Sequence, residues 1–179
     1  MKATILISAF LLLAPSAALA QGARLQLDQL DRLASLAAET VNLTIDPEML
    51  RLASAFIKGD GDQSAVKEML DGLTGIYVRS FEFERENAYT PEDVNTIRNQ
   101  LMTPGWSRLV TVDGRREREL VEIYSWREGQ ASGGLAILVA EPRELTVVNI
   151  VGSFDLAKLG ALQGSFGIPR IPLDSQLPR

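Results

Sequence analysis

The sequence predicts an α+β fold with a mainly antiparallel sheet of about five strands, packed with helices, and a helical N-terminal third. Two aliphatic runs, Leu135–Ala140 and Leu145–Val151, flank a short break that contains a proline. Such runs are typical of strands buried on both faces, and their spacing predicts a hairpin at the centre of the sheet. Asn149 is the polar residue of these runs that we expect to be buried. Helical spacing dominates before residue 75.

The first 20 residues have the pattern of a secretory signal peptide. Lys2 precedes an apolar core, and Ala18-Leu19-Ala20 fits the small-x-small pattern of a cleavage site. We therefore expect a mature chain that begins at Gln21, is periplasmic or secreted, and has no later membrane span. Residues 21–168 are expected to form a single α+β domain, and residues 169–179, which are rich in proline, an extended tail.

Capping signals and periodicity define the elements of the first half. A helix is expected over Leu27–Ala38, and a short strand or extended link over Thr40–Asp46. Asp46-Pro47 then starts a helix, because Asp is a good N-cap and Pro is tolerated in the first helical position. The apolar face of that helix is expected to contain Met49, Leu52, Ala53 and Phe56. A further helix is expected over Ser64–Leu73.

Strand and turn signals dominate the second half. Ile76–Glu84 alternates as a strand does, but apolar residues occur at both parities, so either face could be the buried one. Thr90-Pro91 predicts a helix start, and Asp113-Gly114 predicts a hairpin turn. The remaining predicted elements are strands over Trp106–Val112 and Glu119–Trp126 and a last helix over Leu156–Leu162.

The composition argues against several functional classes. The 179 residues contain no Cys and no His, which removes Ser-His-Asp and Cys-His arrangements and the usual zinc sites. The formal net charge is −5, and becomes −6 when Lys2 is removed with the signal peptide. Such a chain has no electrostatic attraction to nucleic acid or to anionic lipid, so we expect no nucleic-acid partner. We also expect no cofactor and no metal.

One segment resembles the opening of a calcium-binding loop. Its oxygen-bearing positions would be Asp60, Asp62, Ser64, Glu68 and Asp71. A calcium loop needs Gly at its sixth position and a bidentate Glu at its twelfth, where this chain has Ala65 and Asp71. We therefore expect a helix-ending turn followed by an N-cap.

Glutamates near strand ends could supply the carboxylate pair of a glycoside hydrolase. The candidates are Glu82, Glu84, Glu119 and Glu122. The reaction requires that burial keep one carboxyl protonated. Neighbouring arginines favour a solvated charged surface instead, so a carboxylate-based hydrolase is an alternative to the preferred function.

The preferred function is non-catalytic binding of an unknown protein or apolar small molecule. Aromatic residues beside the central hairpin form the candidate interaction surface: Tyr77, Phe81, Phe83, Trp106 and Trp126. Another alternative is a carrier that holds an apolar ligand between helices and sheet. That function needs an enclosed aliphatic pocket of at least ~300 Å³.

Several stretches together resemble a family of exported bacterial domains, domain-of-unknown-function family 4252. They are Thr40–Asp46, Tyr77–Phe83, Pro104–Val110, Val121–Tyr124, Gly134–Gly152 and Asp155-Leu156. The resemblance extends to about Pro169 and implies a signal-bearing bacterial protein without an established activity. It supplies no catalytic or binding residues.

Overall fold

A computed structural model describes residues 22–57, 62–114, 116, 118–128 and 131–153. Its elements, in chain order, are a 3-10 helix Asp28–Ser35, β1 Glu39–Ile45, α1 Pro47–Phe56, α2 Asp62–Gly72, β2 Leu73–Glu82, α3 Pro91–Leu101, β3 Trp106–Gly114, β4 Glu119–Glu128, β5 Ala131–Glu141 and β6 Glu144–Gly152. The α+β class is confirmed. The predicted signal peptide, the last helix and the C-terminal tail lie outside the described residues.

The sheet has six strands in the order β1-β2-β6-β5-β4-β3, and every neighbouring pair is antiparallel. The predicted number of about five was too low, because Glu39–Ile45 pairs with β2 along its whole length. This strand also interrupts the predicted helical N-terminal third. The predicted central hairpin is confirmed, since β5 and β6 occupy the middle of the sheet.

Residues 22–35, which we call the N-terminal segment, cover one face of the sheet together with α3. We call this the α3 face. Leu25, Leu27, Leu30 and Leu33 of the segment are buried there. Each buried leucine contributes about 1.5–3 kcal/mol, so the segment is an integral part of the folded domain. Its helix is a 3-10 helix of eight residues, shorter than the predicted Leu27–Ala38.

The helices α1 and α2 lie on the opposite face, which we call the α1–α2 face. Leu50 of α1 and Met69 of α2 are buried against the sheet. The sheet residues of this cluster are Leu73, Ile123, Leu135, Ile137 and Ile150. The register of β2 thus answers the question left open by its sequence: Phe81 points to the α3 face and Ile76 to the α1–α2 face.

Local chemistry explains where the helices begin. The Asp46 carboxylate accepts hydrogen bonds from the backbone N–H groups of Glu48 and Met49, at 2.9 and 2.8 Å, which satisfies two of the donors that a helix start leaves free. Before α3, the Asp93 carboxylate accepts from the backbone N–H and the hydroxyl of Thr90. Both helix starts occur where the capping signals predict them. Among the described residues, no helix is long and apolar enough to cross a membrane.

Candidate interaction surface

The five aromatic residues of the predicted interaction surface all belong to the α3 face. Phe81 and Phe83 are buried in its core, and Tyr77 and Trp106 pack half-buried against that core. The Arg24 guanidinium of the N-terminal segment lies 4.4 Å above the Tyr77 ring, within the range of a cation–π contact. The N-terminal segment and α3 therefore cover much of this aromatic surface. Its role in binding stays a prediction.

Trp126 is held in a tight setting on the same face. A side chain at Gly22 or Gly133 would place its Cβ atom 2.6–2.7 Å from the Trp126 ring, which is closer than real Cβ atoms come. The two chain segments can approach the indole this closely only because these positions have no side chain. The buried indole Nε1 has no hydrogen-bond partner among the described residues. This arrangement is typical of an aromatic residue that packs against neighbouring backbone.

Of the four candidate carboxylates, only Glu122 is buried. Arg98 of α3 donates to both of its oxygens, at 2.8 and 3.1 Å, and Arg108 of β3 donates to Oε1 at 3.3 Å. The Tyr124 hydroxyl donates to Oε2 at 3.2 Å. The hydrogen bond with Glu122 raises the pKa of Arg98, while burial, followed by the nearby Glu122 charge, raises the pKa of Tyr124.

This network joins α3 to the sheet and leaves Glu122 few free lone pairs. A general acid must instead carry a proton that it can give up. The register places Glu122 on the α3 face, whereas Glu82 belongs to the opposite face. The structure therefore does not bring these two carboxylates together as a pair.

Glu82 belongs to a line of glutamates that crosses one end of the α1–α2 face. We call this line the acidic row. Glu39 is opposite Glu82, Glu82 is opposite Glu144, and Glu144 is opposite Glu141. Directly opposed like charges destabilise a sheet. Among the described residues, no three acidic side chains are arranged to hold a metal ion.

The segment that resembles a calcium loop is already helical where the structure describes it. The helix α2 begins at Asp62, and Asp71 accepts hydrogen bonds from Ser54 of α1 and from Lys67. The bond from Ser54, followed by the bond from Lys67, lowers the pKa of Asp71. Asp71 thus joins α2 to α1. Asp60 lies outside the described residues.

Two surface pockets occur near the loop between β2 and α3. The larger has a volume of about 420 Å³ and is lined by residues 36–38, Glu84, Arg85 and Ala88. The smaller, of about 280 Å³, lies between Tyr89, the start of α3 and Pro142. Neither is the helix–sheet cleft that an apolar-ligand carrier was predicted to use.

Exposed apolar side chains concentrate at β1 and α1. Of nine large hydrophobic residues exposed in the described parts of the chain, five come from these two neighbouring elements. They are Val41 (45% exposed), Leu43 (40%), Met49 (52%), Leu52 (60%) and Phe56 (79%). We call this group the β1–α1 patch.

Helix periodicity places the three α1 residues of the patch on one side of the helix. Met49, Leu52 and Phe56 are spaced as i, i+3 and i+7, whereas the buried residues are Leu50 and Ser54. The sequence had predicted the former three as the apolar face of α1. The structure corrects this prediction, because Leu50 enters the core and Ser54 hydrogen-bonds to α2. The patch side of α1 is thereby turned away from α2.

The register of β1 places Val41 and Leu43 on the α1–α2 face. Val41 is opposite Ser80 of β2, and Leu43 is opposite Val78. The helix α1 follows β1 directly and contacts β2, but no element among residues 22–57, 62–114, 116, 118–128 and 131–153 covers β1 enough to bury these side chains. The α1–α2 face is therefore open along this edge of the sheet.

The two edge strands of the sheet differ in their protection against pairing. β3 carries a register shift between Arg108 and Val110 and charged side chains at Arg108 and Asp113. Bulges and charges are the usual devices that prevent edge-to-edge association. β1 pairs with β2 without interruption over seven residues, and its only charged residue is Glu39 at one end. No other strand in the described part of the chain pairs with the outer edge of β1, so this edge can accept another strand.

Few features of the sequence indicate this surface. Val41 and Leu43 alternate with polar residues, which is also the pattern of a half-buried strand. The apolar residues of α1 occupy two adjoining sides of the helix, and periodicity alone cannot decide which side faces the core. The patch can be recognised only from the tertiary structure, in which β1 pairs with β2 and Ser54 contacts α2.

The family model described as "Domain of unknown function (DUF4252)" matches residues 37–162. The match starts after the N-terminal segment and includes every strand of the sheet and the β1–α1 patch. No curated protein and no solved structure gives a significant match to the chain. Because the matched residues make up more than half of the sequence, the chain belongs to the DUF4252 family.

Proposed function

We propose that this protein is a non-catalytic interaction module of the bacterial cell envelope, and that it contacts another folded protein through the β1–α1 patch and the adjoining β1 edge. The observation that carries the proposal is the concentration of exposed apolar side chains on these two elements. Contiguous exposed apolar surface is typical of protein–protein interaction sites.

The chemistry of the surface favours a protein partner. A free strand edge offers a row of backbone donors and acceptors, which another strand satisfies. The aliphatic and aromatic side chains beside it offer the apolar contacts that form the centre of such interfaces. A partner that supplies a β-strand together with an apolar surface would contact both the β1 edge and the apolar side chains beside it.

The location rests on the N-terminal sequence. Lys2, the apolar core and Ala18-Leu19-Ala20 support export followed by cleavage after Ala20. We expect the protein in the periplasmic fraction, with Gln21 as its first residue. Fractionation followed by N-terminal sequencing tests this part, and an intact N-terminus in the cytoplasmic fraction would contradict it.

Site-specific photo-crosslinking in the native host tests the interaction. A photoreactive amino acid at Leu52, which is 60% exposed, is expected to form a discrete protein adduct. The matched control places the same amino acid at Leu109 of β3, which is 47% exposed and lies on the opposite edge strand. Equal labelling from both positions, or no adduct from Leu52, would contradict the proposed function.

A further inference from the structure

We infer that the partner of the β1–α1 patch is a second copy of this chain, joined by antiparallel pairing of the two β1 strands about a two-fold axis at Asn42. The inference rests on the proposed function, because it identifies the occupant of the same surface. The resulting dimer would have one continuous twelve-stranded sheet, built from the six strands of each copy.

The sequence of β1 is self-complementary about its centre. Asn42 is the middle residue of the seven in Glu39–Ile45, so an axis at this position is the arrangement that pairs all seven. A two-fold contact presents the same surface from both copies, so each residue meets its mirror position. Val41 of one copy would lie opposite Leu43 of the other, and Thr40 would lie opposite Thr44.

The charges of β1 fit this pairing. Glu39 is the only charged residue of the strand, and it would lie opposite Ile45 of the other copy. The two Glu39 carboxylates would be six residues apart along the strand, which is about 20 Å. The acidic row of one copy would therefore not face the acidic row of the other. The register avoids the like-charge opposition that is unfavourable in a sheet.

The same axis brings the remaining residues of the patch together. An axis perpendicular to the sheet keeps both α1 helices on the same face, on either side of the new joint. Since α1 contacts β2, three strand spacings of about 4.8 Å would separate the two helices, or about 14 Å. Directly packed helices are 8–10 Å apart, so this trough has room for the Met49, Leu52 and Phe56 side chains of both copies.

The opposite edge of the sheet, β3, is less suited than β1 to pairing with a second copy. Val41 and Val112 lie in the same cross-strand row, at its two ends, and are 45% and 46% exposed. Val112 belongs to β3, whose register shift and charges oppose edge pairing. Of the helices that the structure describes, only α1, which directly follows β1, carries large exposed apolar side chains.

Single-cysteine variants test the register directly, because the natural chain contains no Cys. In antiparallel pairs, opposed Cα atoms are about 4.5 or 5.5 Å apart, and both spacings suit a disulfide. Asn42→Cys is therefore expected to form a covalent dimer with oxidised glutathione. Thr44→Cys alone is the matched control, since its two copies would be about 14 Å apart. A mixture of Thr40→Cys and Thr44→Cys chains should form the mixed dimer.

Sedimentation equilibrium of the chain from Gln21 onward supplies the independent measurement. We expect a reversible dimer that Val41→Lys weakens at least about tenfold, because the ammonium group would be buried in the joint. The matched control, Val112→Lys, should leave association unchanged. Circular dichroism of both variants checks that they remain folded.

The outcomes separate this inference from the proposed function. A monomeric chain whose Asn42→Cys variant crosslinks no more than Thr44→Cys would overturn the inference. If the Leu52 photo-crosslink then contained a different protein, the proposed function would stand without it. If the photoreactive group at Leu52 also gave no adduct, both the inference and the proposed function would be contradicted. The inference would also be overturned if Val112→Lys disrupted the dimer and Val41→Lys did not, because the interface would then lie at the β3 edge.

Discussion

On the α3 face, buried polar side chains reach from the sheet to the elements that cover it, whereas the α1–α2 face is covered by aliphatic contacts and stays open beside β1. Asn149, Glu122 and Arg79 are the buried polar residues that the sheet contributes to the α3 face. Asn149 accepts from the Leu25 backbone N–H at 2.9 Å and donates to the Ala23 carbonyl at 3.0 Å. Two of its three hydrogen-bond partners thus lie in the N-terminal segment, and the third is the Leu135 carbonyl of β5.

The two faces therefore differ in role. The α3 face fixes the positions of the elements that cover it, whereas part of the α1–α2 face remains available for contact. Buried polar groups require particular partners, so Asn149 and Glu122 admit only one arrangement of the elements above them. Among the residues that the structure describes, the α1–α2 face has one comparable link, in which Ser54 donates to Asp71 and Lys67 donates to Ser54. That link joins the two helices to each other and leaves the patch side of α1 exposed.

The largest expected effect comes from Asn149→Ala. The substitution removes the partner of two backbone groups of the N-terminal segment and of the Leu135 carbonyl. Each buried group left unsatisfied costs about 1–3 kcal/mol, and we expect a loss of several kcal/mol in the free energy of unfolding. Urea unfolding measures the loss, and hydrogen exchange should show that the N-terminal segment loses most protection.

Asn149→Leu is the control, because it retains side-chain volume while removing the same hydrogen bonds. If it is as stable as the natural chain, the polar contacts do not hold the segment and the proposed contrast between the faces is wrong. If both variants lose stability, with Ala losing more, the difference measures the packing contribution.

Local chemistry made much of the fold predictable. The helix starts at Asp46 and Thr90 follow from caps formed within three residues. The central hairpin follows from aliphatic runs around a tight turn. These features depend on neighbours in sequence, and the sequence shows them directly.

Contacts between distant residues were not predictable in the same way. Asn149 was expected to be buried, but its partners lie 124 and 126 residues away and no pattern identifies them. The edge position of β1 depends on where β6 joins the sheet. The exposure of Phe56 depends on the direction in which Leu50 packs. The candidate surface therefore emerges from pairing and packing, which are tertiary properties.

A smaller loss is expected for Glu122→Gln, which retains the shape of the side chain but removes its charge. Arg98 and Arg108 would lose their shared counterion. Hydrogen bonds to charged groups contribute about 1.5–3 kcal/mol each when well buried. Because more than half of the Arg108 side chain is exposed, we expect a total loss of about 1–3 kcal/mol.

A double-mutant cycle with Arg98→Met tests the assignment of that loss. We expect a coupling free energy of about 0.5–3 kcal/mol between Glu122 and Arg98, as for residues of one network. Additive effects of the two substitutions would show that Glu122 does not stabilise the domain through α3. Chemical denaturation of the four proteins supplies all the required values.

On the α1–α2 face, Glu82→Gln is expected to increase stability. The substitution removes one charge from the acidic row, where Glu82 is flanked by Glu39 and Glu144. We expect a gain of about 0.2–1 kcal/mol that decreases with added salt, because salt screens the repulsion between exposed carboxylates. Glu84→Gln, outside the row, is the control and should change the free energy of unfolding less. A loss of stability in Glu82→Gln would show that neighbouring groups already offset the charge repulsion within the acidic row.

The smallest effect concerns the acid dependence of the link between α1 and α2. Hydrogen bonds from Ser54 and Lys67 lower the pKa of Asp71 below its ordinary value of 3.8. A carboxyl group with a lowered pKa in the folded state stabilises the protein above its ordinary pKa, and this contribution disappears as the pH falls through the lower value. As the pH falls from about 5 to about 2, the free energy of unfolding should therefore decrease less for Asp71→Asn than for the natural chain. Ser54→Ala should move the Asp71 pKa, followed by carboxyl NMR, back towards 3.8, and an unchanged pKa would show that Ser54 does not hold this carboxylate.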